Sequence, residues 1–242
     1  MFLYELNGTV PLENLISYLR LNNDIVDQTG NLTYSKIGTV FSNGIFSGTS
    51  SESIDFTNLS NRLTTPDNEL LDFSNKAFSV SFCMNLTNIA VVQTAFGNRY
   101  LVSKRGETSN LEWQVDIRDT GKLLFRLYDN TSGVFIQAVG GTVLTNSTPY
   151  HITCTFNGKS MASGIKLYVN GVLETMTLTT SGVFVSVKNG TEKLSIGGVD
   201  WSSGNAFSPL GKFDGIGIWD TKLNHRQVKN IYNKQASGLE IL

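Results

Sequence analysis

Along almost the whole chain, apolar residues recur at every second position and the runs are closed by Gly, Asn, Asp or Ser. "LISYLRL", "ESIDF", "AFSVSFCMNL", "EWQVDI", "KLLFRLYD", "GVFIQAV", "YHITCTF", "IKLYVNGVLETM", "KLSIGG" and "FDGIGIW" all read this way. A two-residue period puts successive side chains on opposite faces of a strand, so each run predicts a strand with one buried face. "YVNGVL" is the sharpest of these: Asn170-Gly171 can take the positive φ angles of a two-residue type I′ turn, predicting a hairpin between Val169 and Val172. One stretch breaks the rhythm. "LNHRQVKNIYNKQ" spaces Val228, Ile231 and Tyr232 as a helix does, with Asn224 as cap, Gln227 completing a capping box and Leu223 placed to staple Val228. The pattern predicts an all-β, two-sheet antiparallel sandwich with one short C-terminal helix.

The segment "GKFDGIGIWD" poses a problem within this pattern. Strict alternation puts Phe213, Gly215, Gly217 and Trp219 on one face, and Asp214 on the other with Ile216 and Ile218. A carboxylate among isoleucines must reach solvent, accept hydrogen bonds or bind a cation, because burying it alone costs several kcal/mol or forces it to take a proton.

Composition narrows the class. At 242 residues and 40% hydrophobic, the chain can bury one large core, and no apolar run approaches the ~18 residues of a membrane span. Lys and Arg number 19 against 20 acids, and no basic cluster stands out, which argues against nucleic acid as a partner, while the lack of a long apolar run argues against membrane insertion. "MFLYELNGTV" has no positive n-region and is broken at Glu5, so it does not read as a signal peptide. Residues 1–14 read as a possible docking arm and 15–242 as the domain, with "MFLYEL" and the tail "LEIL" as apolar ends able to dock the chain to a larger assembly. Cys83 and Cys154 fall on opposite strand faces, which disfavours a disulfide.

Few residues offer catalytic chemistry. His151 and His225 stand in no zinc or protease motif, and there is no nucleophile elbow or phosphate loop. "EWQVD" sets Glu112 and Asp116 on one face with Gln114 between them, a fragment of the acid ladder of jelly-roll glucanases, which leaves glycoside hydrolysis as a residual alternative. "GGVDWSSGNAFSPLG" offers Trp201 in a Gly/Ser loop flanked by Asp200 and Asn205, an aromatic beside polar groups of the kind that holds a sugar. Trp113 and Trp219 lie in strands and are expected in the core.

The ordered set "LISYLRLNNDIVDQTGN", "FSGTSSESIDF", "FSVSFCM", "YLVSKRG", "PYHITCTFNG", "IKLYVNGVLE", "KLSIGG" and "GKFDGIGIWDTKLNHRQVKNIY" resembles the laminin-G-like branch of the concanavalin A-like jelly-roll superfamily, over roughly residues 15 to 234. It departs from that family in carrying Cys83 and Tyr150 where Trp is frequent. The resemblance implies a jelly-roll fold and a non-enzymatic recognition module for a cell-surface glycan or surface protein. It also implies a structural Ca²⁺ held by Asp27, of the "DQTGN" loop, and Asp214. Taken with the missing signal, it suggests a protein displayed outside the cell or on a phage or virus particle; the alternative is a purely structural virion or assembly protein.

Overall fold

The computed structural model describes residues 8–46, 52–89, 98–107, 109–129, 133–200 and 208–242. In chain order the strands β1 to β16 are Leu15–Leu19, Ser35–Ile37, Val40–Asn43, Glu52–Phe56, Arg62–Thr65, Phe78–Leu86, Asn98–Arg105, Leu111–Arg118, Lys122–Tyr128, Phe135–Val143, Tyr150–Phe156, Lys166–Val169, Val172–Leu173, Met176–Ser181, Leu194–Ile196 and Gly211–Trp219. They form two antiparallel sheets of eight strands each. The first runs β13-β12-β11-β6-β16-β4-β3, with β1 added beside β16; the second runs β14-β10-β9-β8-β7-β15-β5-β2. The helix, α1, spans His225–Ala236. This is the expected jelly-roll sandwich, and among the described residues no helix is long and apolar enough to cross a membrane.

The core lies between the sheets and is built by the alternation itself. Phe78, Val80, Phe82 and Met84 of β6 and Ile152, Cys154 and Phe156 of β11 face Trp113, Val115 and Ile117 of β8 and Leu123, Phe125 and Leu127 of β9. Phe78 is its hub, stacked on Phe73 at 4.0 Å and 5.6 Å from Trp113 between ring centroids. Each such side chain, fully withdrawn from water, contributes about 1.5–3 kcal/mol. The hairpin forms as the sequence implies, with Asn170 at φ 51° and Gly171 at φ 74° between the paired Val169 and Val172.

Strand β16 departs from strict alternation. Phe213 pairs with Met84 and Asp214 with Cys83, and then the register slips, so that Gly217 pairs with Ser81, Ile218 with Val80 and Trp219 with Ser79. Gly215 makes this β-bulge at φ 56°, where an added Cβ would come within 2.1 Å of Gln235 Nε2. One extra residue reverses the face of everything after it. Ile216 and Ile218 therefore enter the core, whereas Asp214 and Trp219 share the outer face, contrary to the alternation reading.

That outer face of the first sheet is covered by the chain's own ends. Asn224 accepts from the backbone N–H groups of Arg226 and Gln227, and the Gln227 side chain returns the bond to Asn224 N, giving the expected capping box. Helix α1 then buries Val228 and Ile231 against Trp219, Leu223, Tyr168 and Tyr18 in a second, smaller core. Val10 and Ile241 join it, and Gly8 and Thr9 carbonyls accept from Asn230 and Gln227.

Candidate functional site

The two outer faces carry the polar positions of the strands, and they differ in what meets them. Under α1 the first sheet buries a hydroxyl and imidazole belt. Ser81 Oγ lies 2.9 Å from His151 Nε2 and 3.0 Å from Thr153 Oγ1. Burial lowers His151 to about 3, so the ring is neutral and structural. Cys83, beneath Gln235, is raised by burial and by the nearby Asp214 and Glu240, and it and Cys154 are free thiols on opposite faces.

Asp214 sits at the edge of this belt, half-buried beside a small cavity shared with Tyr18, Cys83, Gln235 and Glu240. Burial, reinforced by Glu240, pushes its carboxyl up to about 8. Tyr18 donates to Glu240 across the same cavity, and Asn22 Nδ2 holds the other oxygen of Glu240 at 3.0 Å. Asp27 is employed elsewhere. Its Oδ1 accepts from Tyr18 N at 2.8 Å and Thr29 N at 3.2 Å, and its Oδ2 from Thr29 Oγ1 at 2.8 Å and Leu32 N at 2.9 Å. Four donors occupy all of the roughly four lone-pair sites a carboxylate offers. A cation at Asp27 would have to displace them. Among the described residues, no group of three or more His, Cys, Asp or Glu is placed to hold a metal. Asp27 and Asp214 as arranged do not fit the calcium site that the resemblance implied.

The outer face of the second sheet is built differently. Register brings Gln114 beside Arg126 and Arg126 beside Gln137, with Tyr100 opposite Asp116 and Tyr128 opposite Phe135. Gln114 Oε1 accepts from Arg105 Nη1 at 2.6 Å and from Tyr128 Oη at 3.2 Å, while its amide donates to Asp116 Oδ2. Asn98 Nδ2 reaches the same oxygen at 3.2 Å. Arg126 Nε donates to Gln137 at 2.7 Å and Nη1 to Tyr128 Oη at 3.1 Å. The guanidiniums also lie on rings: Arg105 is 5.1 Å from the Tyr100 centroid, and Arg126 is 4.6 Å from that of Phe135. Gln114, Asp116, Tyr100 and Tyr128 form a buried polar floor, and Arg105, Arg126 and Phe135 are a half-exposed rim. Asp116 Oδ1 is buried with no partner, and burial raises the carboxyl to about 7, against the opposing pull of Arg126 and Arg105.

Glu112 shares this face but belongs to another cluster. The Lys104 ammonium, fully buried, meets Glu112 Oε2 at 2.6 Å, Asp67 at 2.8 Å and Asp72 at 3.5 Å. Although burial opposes the charge, Glu112 and Asp67 hold Lys104 above its ordinary value. Glu112 and Asp116 lie four residues apart on one strand, about 13 Å at the usual rise. Glycosidase carboxylates stand about 5–5.5 or 6.5–9.5 Å apart, so these two do not suit that pair.

Of the residues singled out in the Gly/Ser loop, Trp201 and Asn205 lie outside the described residues. Asp200 is tied down by Arg62 Nη2 at 2.5 Å and Lys193 Nζ at 2.7 Å. Burial acts to raise its carboxyl, but the bonds and charges of Lys193 and Arg62 hold it below its ordinary value. Val199, just before it, packs on Tyr100, so this segment starts at the margin of the second-sheet platform. Alternation in "EWQVDI" set Gln114 and Asp116 on one face, but Arg126, Tyr128 and Gln137 were not singled out, and only the register across β8, β9 and β10 shows that they converge.

The family model described as the concanavalin A-like lectin/glucanases superfamily matches residues 56–229. No curated protein matches by sequence. Among solved structures, the binding domain of Paraclostridial Mosquitocidal Protein 1 superposes with a TM-score of 0.71 at 20% identity, covering 94% of this chain and 55% of that one. The receptor binding domain of botulinum neurotoxin C/D mosaic serotype gives 0.64 at 15% identity, covering 92% and 52%. Domain 4 of AbnA, a GH43 extracellular arabinanase from Geobacillus stearothermophilus, solved in complex with arabinotriose, gives 0.60 at 17% identity, covering 90% and 98%. The chain thus spans about half the length of the first two binding domains and nearly all of the arabinanase domain. At these identities the likeness establishes the fold.

Proposed function

Because the chain belongs to the concanavalin A-like lectin/glucanase superfamily, we propose that it is a non-enzymatic recognition module that holds a saccharide on the outer face of its second sheet. The observation that carries this is the rim: the Arg126 guanidinium lies 4.6 Å from the half-exposed Phe135 ring, above a floor of hydrogen-bonded amides and phenols. Sugars are held by such pairs, the C–H face of the ring on an aromatic and the hydroxyls on side chains already fixed by their neighbours. The floor is preorganised, since Gln114 and Arg126 are each locked by partners from adjacent strands, so little freedom is lost on binding. Trp201 and Asn205, from the loop that follows Val199, are part of this proposal as further ligand contacts.

The solved structures support the reading by their own descriptions: one is the binding domain of a mosquitocidal protein, one is the receptor binding domain of a botulinum neurotoxin, and one was captured with arabinotriose. The arabinanase domain's extracellular setting favours the same for this module. None of the three is a virion protein, so display on a phage or virus particle draws no support from them.

A glycan array on the purified chain, in calcium and again in EDTA, tests the proposal. We expect binding to one sugar class, unchanged by EDTA and weakened about tenfold or more by Phe135→Ala or Trp201→Ala, the cost of losing one stacking ring. An array blank in both conditions would overturn it.

A further inference from the structure

The charges on the outward positions of β7 to β10 do not balance. Glu112 is engaged by Lys104, which leaves Asp116 as the carboxylate facing the guanidiniums of Arg105, Arg118 and Arg126. This local excess of positive charge stands on a chain whose net charge is -1. Arg105 directs its donors to Tyr100, Gln114 and the carbonyls of Gly106 and Glu107. Arg126 does not: Nε and Nη1 bind Gln137 and Tyr128, whereas Nη2 has no acceptor among the described residues, and the residue is half-exposed. A guanidinium fixed at two nitrogens and open at the third is a positioned donor for an anion.

Resting on the saccharide reading above, we propose that the Nη2 edge of Arg126 makes the site selective for acidic saccharides, with an anionic group of the sugar accepting from Arg126 while the sugar ring lies on Phe135. A carboxylate and a sulfate share this chemistry. Arg118, exposed at the far end of β8, extends the same sign of field along the face for a second acidic unit, so affinity falls as salt rises.

The test is calorimetric titration with matched probes: an oligogalacturonate and its methyl ester, and a carrageenan oligosaccharide and its desulfated form. The expected result is binding of one acidic probe, with its neutralised partner about tenfold weaker or worse. Which acid binds tells carboxylate from sulfate. Arg126→Gln should remove the preference and Arg126→Lys should keep part of it, with melting curves checking that each variant folds. The acid and ester pair on the unaltered chain needs no variant and decides the point even if Arg126→Gln does not fold. Equal affinity for acidic and neutral probes, or a preference that survives Arg126→Gln, overturns the inference. If only neutral glycans such as arabinan bind, the inference fails and the saccharide reading stands; if no glycan binds at all, both fail.

Discussion

The two outer faces of this sandwich begin from the same sequence device, a polar residue at every second strand position, and end with different roles. On the first sheet Ser81, His151, Thr153 and Cys83 lie beneath α1 and the C-terminal tail, and their partners come from the chain itself. On the second, Gln114 and Tyr128 are equally buried, but they support guanidiniums and a ring that reach the surface. A polar face closed over by a helix is architecture. One that ends in a half-exposed Arg and Phe is a surface prepared for a partner.

The sharpest way to break this comparison is to strip the cover from the first face. Trp219 is fully buried under α1, and Trp219→Ala should cost about 3–5 kcal/mol in denaturant unfolding. If α1 only covers, any glycan binding retained by the still-folded fraction should be unchanged. Loss of binding at full folding would show the faces to be coupled.

A smaller effect concerns pH. Asp214 has a folded value of about 8, far above the ~3.9 of an unfolded Asp. A carboxyl raised on folding contributes stability that is fully present below the unfolded value. That stability is lost as pH rises toward the folded value. Stability should therefore fall between about pH 4 and pH 8, by on the order of a few kcal/mol at most. Asp214→Asn should flatten this dependence and stabilise the protein at pH 8, with melting unaffected by EDTA in either form. Destabilisation by EDTA that Asp214→Asn abolishes would restore the calcium site.

The smallest change tests whether the helix is held by its cap or by its packing. Asn224→Ala removes both acceptor bonds at the helix start and should cost about 1 kcal/mol. This is well short of the Trp219 effect, because most helical stability in a protein comes from the packed face. A loss as large as that for Trp219 would reverse this ranking.

What the sequence determined by itself is local. Alternation placed the strands and the faces of Trp113, Cys83 and Cys154. Asn170-Gly171 set the hairpin, and Asn224 with Gln227 set the helix start, because each of these signals is decided within a few residues of backbone geometry. Period alone failed at β16, where the bulge at Gly215 moved Asp214 and Trp219 to the face opposite Ile216 and Ile218. That bulge depends on Gln235 of a distant helix, whose amide donates to the Gly215 carbonyl at 2.7 Å. The site was readable only in part. Gln114 and Asp116 were visibly outward, but their meeting with Arg105, Arg126 and Phe135 requires the register of four strands, and register is set by pairing across the sheet. Asp214 was likewise legible as an acid in need of partners, and Asp27 was named only by the family resemblance. Tertiary structure gave Asp27 four hydrogen-bond donors and Asp214 a buried place beside Glu240 that raises its pKa, because the surroundings of a carboxylate decide its charge.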